Sequence, residues 1–217
     1  MLYILYGRQN LKKTNYMKRI LLLALILVAL TGCMNRTPKL SPLAHDAVVL
    51  AFGDSLTFGT GAPVGQSYPA VLQALIGRNI IASGVPGEVT ADGRIRLQEA
   101  LDEHHPRLLI LCHGGNDFLR HFSEHQTAEN IRAMIQMAQA SGAEVVVIAV
   151  PKPGLLPTPP ELYEQISKEF NIPLDDSTLK SILTNNAEKS DMVHPNAQGY
   201  LRLAEAVATL LKNAGAI

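Results

Sequence analysis

Ser55 and His194 are residue types that nucleophilic catalysis needs, and both lie in favourable positions in the sequence. The motif Gly53-Asp54-Ser55-Leu56 directly follows the apolar run 47–52, and His194 lies three residues after Asp191 near the C-terminus. A serine hydroxyl is a poor nucleophile until a base takes its proton, and histidine suits that role because it titrates near neutral pH. A carboxylate on the second ring nitrogen fixes the tautomer and stabilises the charged ring. We therefore predict Ser55 as nucleophile, His194 as general base and then acid, and Asp191 as the residue that orients His194.

Three hydrogen-bond donors are candidates for the oxyanion hole of such a site. The attacked carbonyl oxygen becomes negative, and fixed donors aimed at it usually make the largest catalytic contribution. The predicted donors are the backbone N–H of Ser55, the backbone N–H of Gly87 and the side-chain amide of Asn116. Asn116 follows the apolar run 108–112, and a glycine at position 87 would let a substrate approach the backbone closely.

The elements that must position these residues alternate along the chain. Strand patterns cover residues 47–52, 79–82, 108–112 and 144–150, with a weaker fifth at 172–174, and helical patterns cover 68–76, 91–105, 128–140, 161–170 and 196–212. Continuous apolar strands separated by helices predict an α/β fold, with a parallel sheet covered on both faces. The ligand crevice of such a sheet opens at the carboxyl ends of the strands. Ser55, the loop 84–87 and Asn116 all follow such ends.

The nucleophile motif excludes one common hydrolase class. Thr57 stands where the Gly-x-Ser-x-Gly elbow of α/β-hydrolases has its second glycine. Instead, four blocks in order resemble the SGNH (GDSL) hydrolase family over almost the whole region from residue 47 to the C-terminus. These blocks are residues 52–59 with Gly-Asp-Ser-Leu, 84–90, 114–117 with Gly-Gly-Asn-Asp, and 191–194.

The resemblance implies a three-layer sandwich with a flavodoxin-like, five-stranded parallel sheet. It also implies Ser55 as nucleophile and Gly87 and Asn116 as oxyanion residues. The sequence Gly-Gly-Asn-Asp-Phe-Leu-Arg at residues 114–120 is similar to that of the bacterial arylesterase, acyl-CoA thioesterase and lysophospholipase branch of the family. That branch often has aspartate and serine where this chain has Glu88 and Pro86, so Gly84 is an alternative donor.

The N-terminal segment predicts export. Met17-Lys18-Arg19 precedes an apolar run that ends at Cys33, which resembles a bacterial lipoprotein signal. We expect translation to begin at Met17, residues 1–32 to be the export signal, and 33–45 to be the lipidated cysteine and its tether. A plain secretory peptide or a short membrane anchor is the alternative. The resemblance implies a lipid-anchored envelope protein, and Met34 after the cysteine implies sorting to the periplasmic face of the outer membrane if the source has two membranes.

Composition narrows the class of protein. The chain has 217 residues, 47% of them hydrophobic, and equal numbers of basic and acidic residues at 19 each. We therefore expect one domain, 46–217, a monomer, and no nucleic-acid partner, because no basic surface is indicated. The histidines show no spacing with carboxylates or cysteines that is typical of a metal site. No metal and no cofactor are predicted.

Several other polar residues are interpreted as structural. Asp54 and Asp117 are predicted to cap or form turns, His113 to be a hydrogen-bonded structural group, and Cys112 to be a small buried hydrophobe. The proline-containing loop 155–160 is either a wall of the substrate pocket or a connector.

The predicted function is a serine esterase that hydrolyses carboxylic esters or thioesters through an acyl-enzyme. Its substrate would be a small ester, a thioester or a lysolipid. An O-acetylesterase acting on envelope carbohydrate is the alternative enzyme. A non-catalytic binding lipoprotein is the alternative from another class, although the complete set of triad and oxyanion residues argues against it.

Overall fold

Five apolar segments form a parallel sheet. The computed structural model describes residues 37–217, so the predicted export signal and Cys33 lie outside the described residues. The strands are Val48–Gly53 (β1), Asn79–Gly84 (β2), Leu108–Cys112 (β3), Glu144–Ile148 (β4) and Leu174–Asp175 (β5). Neighbouring strands are all parallel, in the order β2-β1-β3-β4-β5. This is the flavodoxin-like order, in which the ligand crevice is expected beside β1 and β3, where the strand order reverses.

Helices cover both faces of the sheet. Within residues 37–217 they are Ser55–Phe58 (α1), Tyr68–Ile76 (α2), Thr90–His104 (α3), Gly115–Leu119 (α4), Glu124–Ala140 (α5), Leu162–Phe170 (α6), Thr178–Thr184 (α7) and Ala197–Ala214 (α8). α2 and α7 pack against α8, whereas α3 and α6 pack against α5. The predicted α/β three-layer architecture is confirmed.

The central strands are buried on both faces, which explains their unbroken apolar sequences. The residues of β1 from Val49 onward and all of β3 are buried. Cys112, predicted to be a buried hydrophobe, is fully buried and unpaired at the end of β3.

The structure corrects several predicted boundaries. β4 ends at Ile148 rather than at residue 150, and β5 has only two residues, Leu174–Asp175. α5 begins at Glu124, four residues before the predicted start, because its first turn is polar and gives no apolar periodicity. The helices α1, α4 and α7 were not predicted, since each is too short to show a periodic pattern.

The first described residues lie on the edge of the sheet where the strands begin, here called the amino edge. Leu40 N–H donates to the Ala214 carbonyl at 3.0 Å, and Leu43 N–H to the Ala216 carbonyl at 2.8 Å. Ser41 N–H donates to the carboxylate of Glu144, the first residue of β4, at 2.9 Å. This segment is therefore held against the domain. None of the helices in residues 37–217 is long and apolar enough to cross a bilayer.

Candidate active site

Ser55 begins the short helix α1 rather than lying in a loop. Asp54 is the N-cap of this helix, and its Oδ1 accepts from Leu56 N–H at 3.0 Å, which is the predicted capping role. Gly59 ends the helix in the left-handed conformation, with φ of 96°. A side chain at Gly84 would clash with the backbone of α1, since an added Cβ would lie 2.2 Å from the nitrogen of Phe58. Glycine at 84 therefore lets the nucleophile helix lie directly on β2.

Asp191 and His194 lie on a tight loop that brings the histidine to Ser55. Asp191 Oδ2 is 2.8 Å from His194 Nδ1, and His194 Nε2 is 3.0 Å from Ser55 Oγ. Asp191 Oδ1 also accepts from the backbone N–H groups of Val193 and His194, both at 2.8 Å. The three residues predicted as a catalytic triad thus form one continuous chain of hydrogen bonds.

The environment keeps Asp191 ionised. Partial burial alone would raise the pKa of Asp191, but the hydrogen bonds from His194 and from the Val193 and His194 N–H groups outweigh it and lower this pKa below its usual range. An ionised carboxylate at this position favours the His194 tautomer whose Nε2 can accept the proton of Ser55.

The predicted oxyanion donors border the same cavity as Ser55. Gly87 and Asn116 both line it, and Gly87 has a positive φ of 80°. Among residues 37–217, no protein group accepts a hydrogen bond from the backbone N–H of Ser55 or of Gly87. Both N–H groups are therefore available to a ligand. The Gly87 carbonyl is turned away and accepts from Arg120 at 2.8 Å. Gly84, the alternative donor, does not line this cavity.

Asn116 is held more firmly than the sequence suggested. Its Nδ2 donates to the Glu88 carbonyl at 2.9 Å, and lies 3.3 Å from Asp54 Oδ2. The second bond is long, so the hydrogen directed at Asp54 is the one that a negatively charged ligand oxygen could compete for. Burial raises the pKa of Asp54, and this effect outweighs the opposing effects of His113 and the Leu56 N–H.

The cavity beside Ser55 has a volume of about 280 Å³ and mostly apolar walls. The proline-containing loop contributes through Pro157, while the side chains of Leu155 and Leu156 point to solvent and are 97% and 80% exposed. The loop is thus a pocket wall at one residue and an exposed tip at two others. The apolar lining residues are Leu56, Pro86, Leu119, Val150, Pro151, Pro153, Pro157, Leu183, Met192 and Val193.

A second histidine and carboxylate pair lies behind the cavity, and sequence reasoning missed it as a unit. Glu88 Oε2 is 3.1 Å from His113 Nε2 and 2.7 Å from Arg96 Nη2. His113 Nδ1 accepts from Gly114 N–H at 3.0 Å, so the hydrogen of the neutral ring lies on Nε2 and is donated to Glu88. His113 is a satisfied structural group, as predicted. The unusual Glu88 was visible in the sequence, but nothing there indicated that Arg96 would meet it.

Arg96 connects this pair to the strand ends that carry the site. Its guanidinium donates to Ser83 Oγ at 2.5 Å and to the Gly53 carbonyl at 3.2 Å, and it lies 4.0 Å from the ring centroid of Phe52. Burial would raise the pKa of Glu88, but hydrogen bonds from Arg96 and His113 prevail and lower the pKa of Glu88 to about 2. We call Glu88, Arg96 and His113 the buried network.

Asp117 has the structural role expected of it. Its carboxylate accepts from the N–H of Thr90 at 2.9 Å and from the Thr90 hydroxyl at 2.5 Å, and thus caps α3 from the neighbouring segment. Thr127 donates to the same carboxylate at 3.3 Å.

Within residues 37–217, no group of three or more histidine, cysteine, aspartate or glutamate residues is placed to hold a metal ion.

Comparison with known proteins identifies the family. The sequence profile of the GDSL-like Lipase/Acylhydrolase family matches residues 51–202. The chain belongs to this family. It is 27% identical over 172 residues to thioesterase 1/protease 1/lysophospholipase L1 of Escherichia coli K12, covering 76% of this chain and 83% of that protein. It is 29% identical over 171 residues to an arylesterase of Vibrio mimicus, covering 74% and 86%.

Solved structures show the same fold. The crystal structure of TesA matches with a TM-score of 0.70 and 26% identity, covering 77% of this chain and 99% of that one. The SGNH-hydrolase family esterase AlinE4 matches with a TM-score of 0.62 and 29% identity, covering 79% and 98%. Residues 17–33 match the prokaryotic membrane lipoprotein lipid attachment site. This GDSL hydrolase therefore carries the attachment signal of a membrane-anchored envelope lipoprotein.

Proposed function

We propose that this GDSL hydrolase is a serine esterase that cleaves carboxylic esters or thioesters through an acyl-enzyme. One observation carries the proposal: the hydrogen-bond chain from Asp191 through His194 to Ser55 opens into an apolar cavity beside the backbone N–H groups of Ser55 and Gly87, which have no acceptor among residues 37–217. This arrangement supplies a base, a nucleophile and oxyanion donors at one point.

The proposed reaction has two halves. In the first, His194 Nε2 takes the proton of Ser55 Oγ as this oxygen attacks the substrate carbonyl carbon, and the carbonyl oxygen becomes an oxyanion. The N–H groups of Ser55 and Gly87 and the Asn116 amide stabilise that charge. His194 then donates its proton to the leaving alkoxide or thiolate. In the second half a water attacks the acyl-enzyme, His194 takes its proton and returns it to Ser55 Oγ, and the carboxylic acid leaves.

The cavity favours short and medium acyl groups. A volume of about 280 Å³ lies just below the range of about 300–1,000 Å³ that is typical of ligand pockets. Its apolar walls favour an acyl chain over a sugar ring, because a sugar's hydroxyl groups would lose hydrogen bonds to water there. This supports the esterase assignment over the alternative of a carbohydrate O-acetylesterase.

A substrate panel tests the proposal. Purified protein would be assayed on p-nitrophenyl esters from acetate to palmitate, and on acyl-CoA and lysophospholipid. We expect the highest kcat/KM between butyrate and octanoate. Ser55→Ala should remove both turnover and labelling by a fluorophosphonate probe, whereas the exposed Ser123→Ala should retain both, since the Ser123 side chain makes no capping bond. Labelling of the Ser55→Ala protein, or a preference for acetylated sugars over all of these esters, would contradict the proposal.

The location is part of the proposal. Cys33 would carry the lipid and become the N-terminus, residues 1–32 would be removed, and 33–45 would lead into the domain 46–217. Several acyl chains bind a membrane firmly, because each buried methylene contributes about 0.8 kcal/mol. Met34 supports sorting to the outer membrane in a two-membrane source. Cys33→Ser should abolish metabolic palmitate labelling and release an enzyme with unchanged kcat, whereas a parent protein that is unlabelled and soluble would contradict the anchor.

A further inference from the structure

Gly87 lies in a type II turn, residues 85–88, which is here called the oxyanion turn. Glu88 N–H closes the turn by donating to the Val85 carbonyl at 3.2 Å. Pro86 occupies the second position and Gly87 the third, and φ is positive at Gly87 but not at Pro86. A positive φ at the third position alone is the mark of type II, which favours proline at the second position and glycine at the third.

The type of turn decides where the Gly87 N–H points, because this group belongs to the central peptide of the turn. The φ of the third residue is about −90° in type I and about +80° in type II, so the central peptide faces opposite ways in the two types. A change to type I would put the Pro86 carbonyl where the N–H now lies. Neither group is hydrogen-bonded to protein within residues 37–217, and glycine adopts either sign of φ about equally readily. The direction of the N–H must therefore be held by the neighbouring peptides.

Two side chains from one helix hold the peptides that follow Gly87. Arg120 Nη2 donates to the Gly87 carbonyl at 2.8 Å, and Asn116 Nδ2 donates to the Glu88 carbonyl at 2.9 Å. The backbone N–H of Arg120 donates to the Asn116 carbonyl at 3.0 Å, so both side chains project from the same turn at the end of α4. The oxyanion turn and the Asn116 amide are thus fixed relative to each other.

We propose that Arg120 is a positioning residue for the oxyanion hole. Its bond to the Gly87 carbonyl keeps the oxyanion turn in the type II form, so that the Gly87 N–H and the Asn116 amide face the same substrate oxygen. Arg120 does not line the cavity beside Ser55, so it acts through Gly87 rather than on the substrate. This inference rests on the proposed esterase function.

Substitutions of Arg120 test its role. Arg120→Met removes the donors and keeps an unbranched side chain, Arg120→Lys keeps a charged donor, and Arg94→Met is the matched control at an exposed arginine. On p-nitrophenyl butyrate, we expect Arg120→Met to lower kcat by about ten-fold at nearly constant KM, because the N–H is misdirected only part of the time and complete loss of a donor costs about 10²–10³. Arg120→Lys should recover most of this loss, and Arg94→Met should match the parent.

Two glycines in similar turns show whether the oxyanion turn carries the effect. Gln66 N–H closes residues 63–66 on the Pro63 carbonyl at 3.0 Å, and Gly65 at the third position has φ of 83°. An added Cβ would meet no atom within 4 Å at Gly65 or at Gly87. Alanine should therefore introduce similar backbone strain at both, which a change to type I would relieve. Gly87→Ala should lower kcat by about 10²–10³, whereas Gly65→Ala should retain the kcat of the parent.

The double variant of Arg120→Met and Gly87→Ala separates action through Gly87 from any other route. We expect it to have the kcat of Gly87→Ala alone, because both changes disable the same donor. Losses that multiply would overturn the inference, as would a higher KM at unchanged kcat, or a kcat of Arg120→Met equal to that of the parent. A parent that hydrolyses no ester would instead contradict the proposed function.

Discussion

Two hydrogen-bonded histidine and carboxylate pairs within residues 37–217 have nearly the same spacing and different surroundings. Asp191 and His194 are 2.8 Å apart with side chains 53% and 19% exposed, whereas Glu88 and His113 are 3.1 Å apart with side chains 7% and 0% exposed. The difference lies in what faces the other ring nitrogen. In His194 it is the Ser55 hydroxyl, and in His113 it is the Gly114 N–H.

That difference decides what each ring can do. The Nδ1 of His113 already accepts a hydrogen bond and its Nε2 donates one, so this ring has no free position for a proton to enter from a substrate. His194 Nε2 faces a hydroxyl whose proton it can accept, and it borders the cavity. A histidine beside a carboxylate is therefore not by itself a catalytic unit, because the role depends on the third group in the chain of hydrogen bonds.

Among the substitutions that distinguish the two pairs, Asp191→Asn is expected to lower ester turnover most. The substitution keeps the size of the side chain but removes the charge that fixes the tautomer, which cost about 10⁴ in kcat in a serine protease. We expect a loss of similar size in ester turnover with little change in Tm. Asp176→Asn, at an exposed aspartate without hydrogen bonds to the site, is the matched control. A variant within a few-fold of the parent would mean that another group orients His194.

Asn116→Ala removes a residue whose amide contacts the Glu88 carbonyl on one side and Asp54, the neighbour of Ser55, on the other. Loss of one oxyanion donor should lower kcat by about 10²–10³, or about 3–4 kcal/mol. Steady-state kinetics on p-nitrophenyl butyrate would measure this. If KM rose while kcat stayed the same, Asn116 would be a binding residue, and the donors would be the two backbone N–H groups alone.

Glu88→Gln should have the smallest effect on chemistry and a clear effect on stability. The folded pKa of Glu88 is lowered from 4.5 to about 2. Its carboxylate therefore contributes stability that is complete above pH 4.5 and lost as the pH falls through about 2. The shift corresponds to about 3 kcal/mol. We expect kcat to fall by no more than about ten-fold, since Glu88 does not line the cavity beside Ser55.

Denaturant unfolding as a function of pH would measure that stability. The parent should lose more stability than Glu88→Gln between pH 4.5 and 2, so that the two curves converge in acid. Glu88→Asp would show whether a shorter carboxylate still reaches Arg96 and His113. Parallel curves for parent and Glu88→Gln would mean that the buried network does not hold Glu88 ionised. A loss of turnover as large as that of Asp191→Asn would remove the distinction between the two pairs.

Residues that are close in sequence were the most predictable part of the site. The Asp191 and His194 spacing required only a tight loop, and Asp54 next to Ser55 could be recognised as a cap. The strands β1, β3 and β4 were found because strands buried on both faces must be apolar throughout. Short elements were missed or misplaced, as with α1 and α4, because four or five residues carry no periodicity and are formed by contacts with the rest of the fold.

The sequence by itself determined the chemical types of the site residues, the apolar strands and the order of the motifs. Apolar patterns are local, and each side chain has the same functional group wherever it lies in the fold. The tertiary structure alone decided that Arg96 reaches Glu88, His113 and the end of β1, and that Leu40 is bound at the amino edge, opposite the cavity. These contacts join residues far apart in the chain. Their geometry follows from the packing of helices on the sheet, which no local pattern encodes.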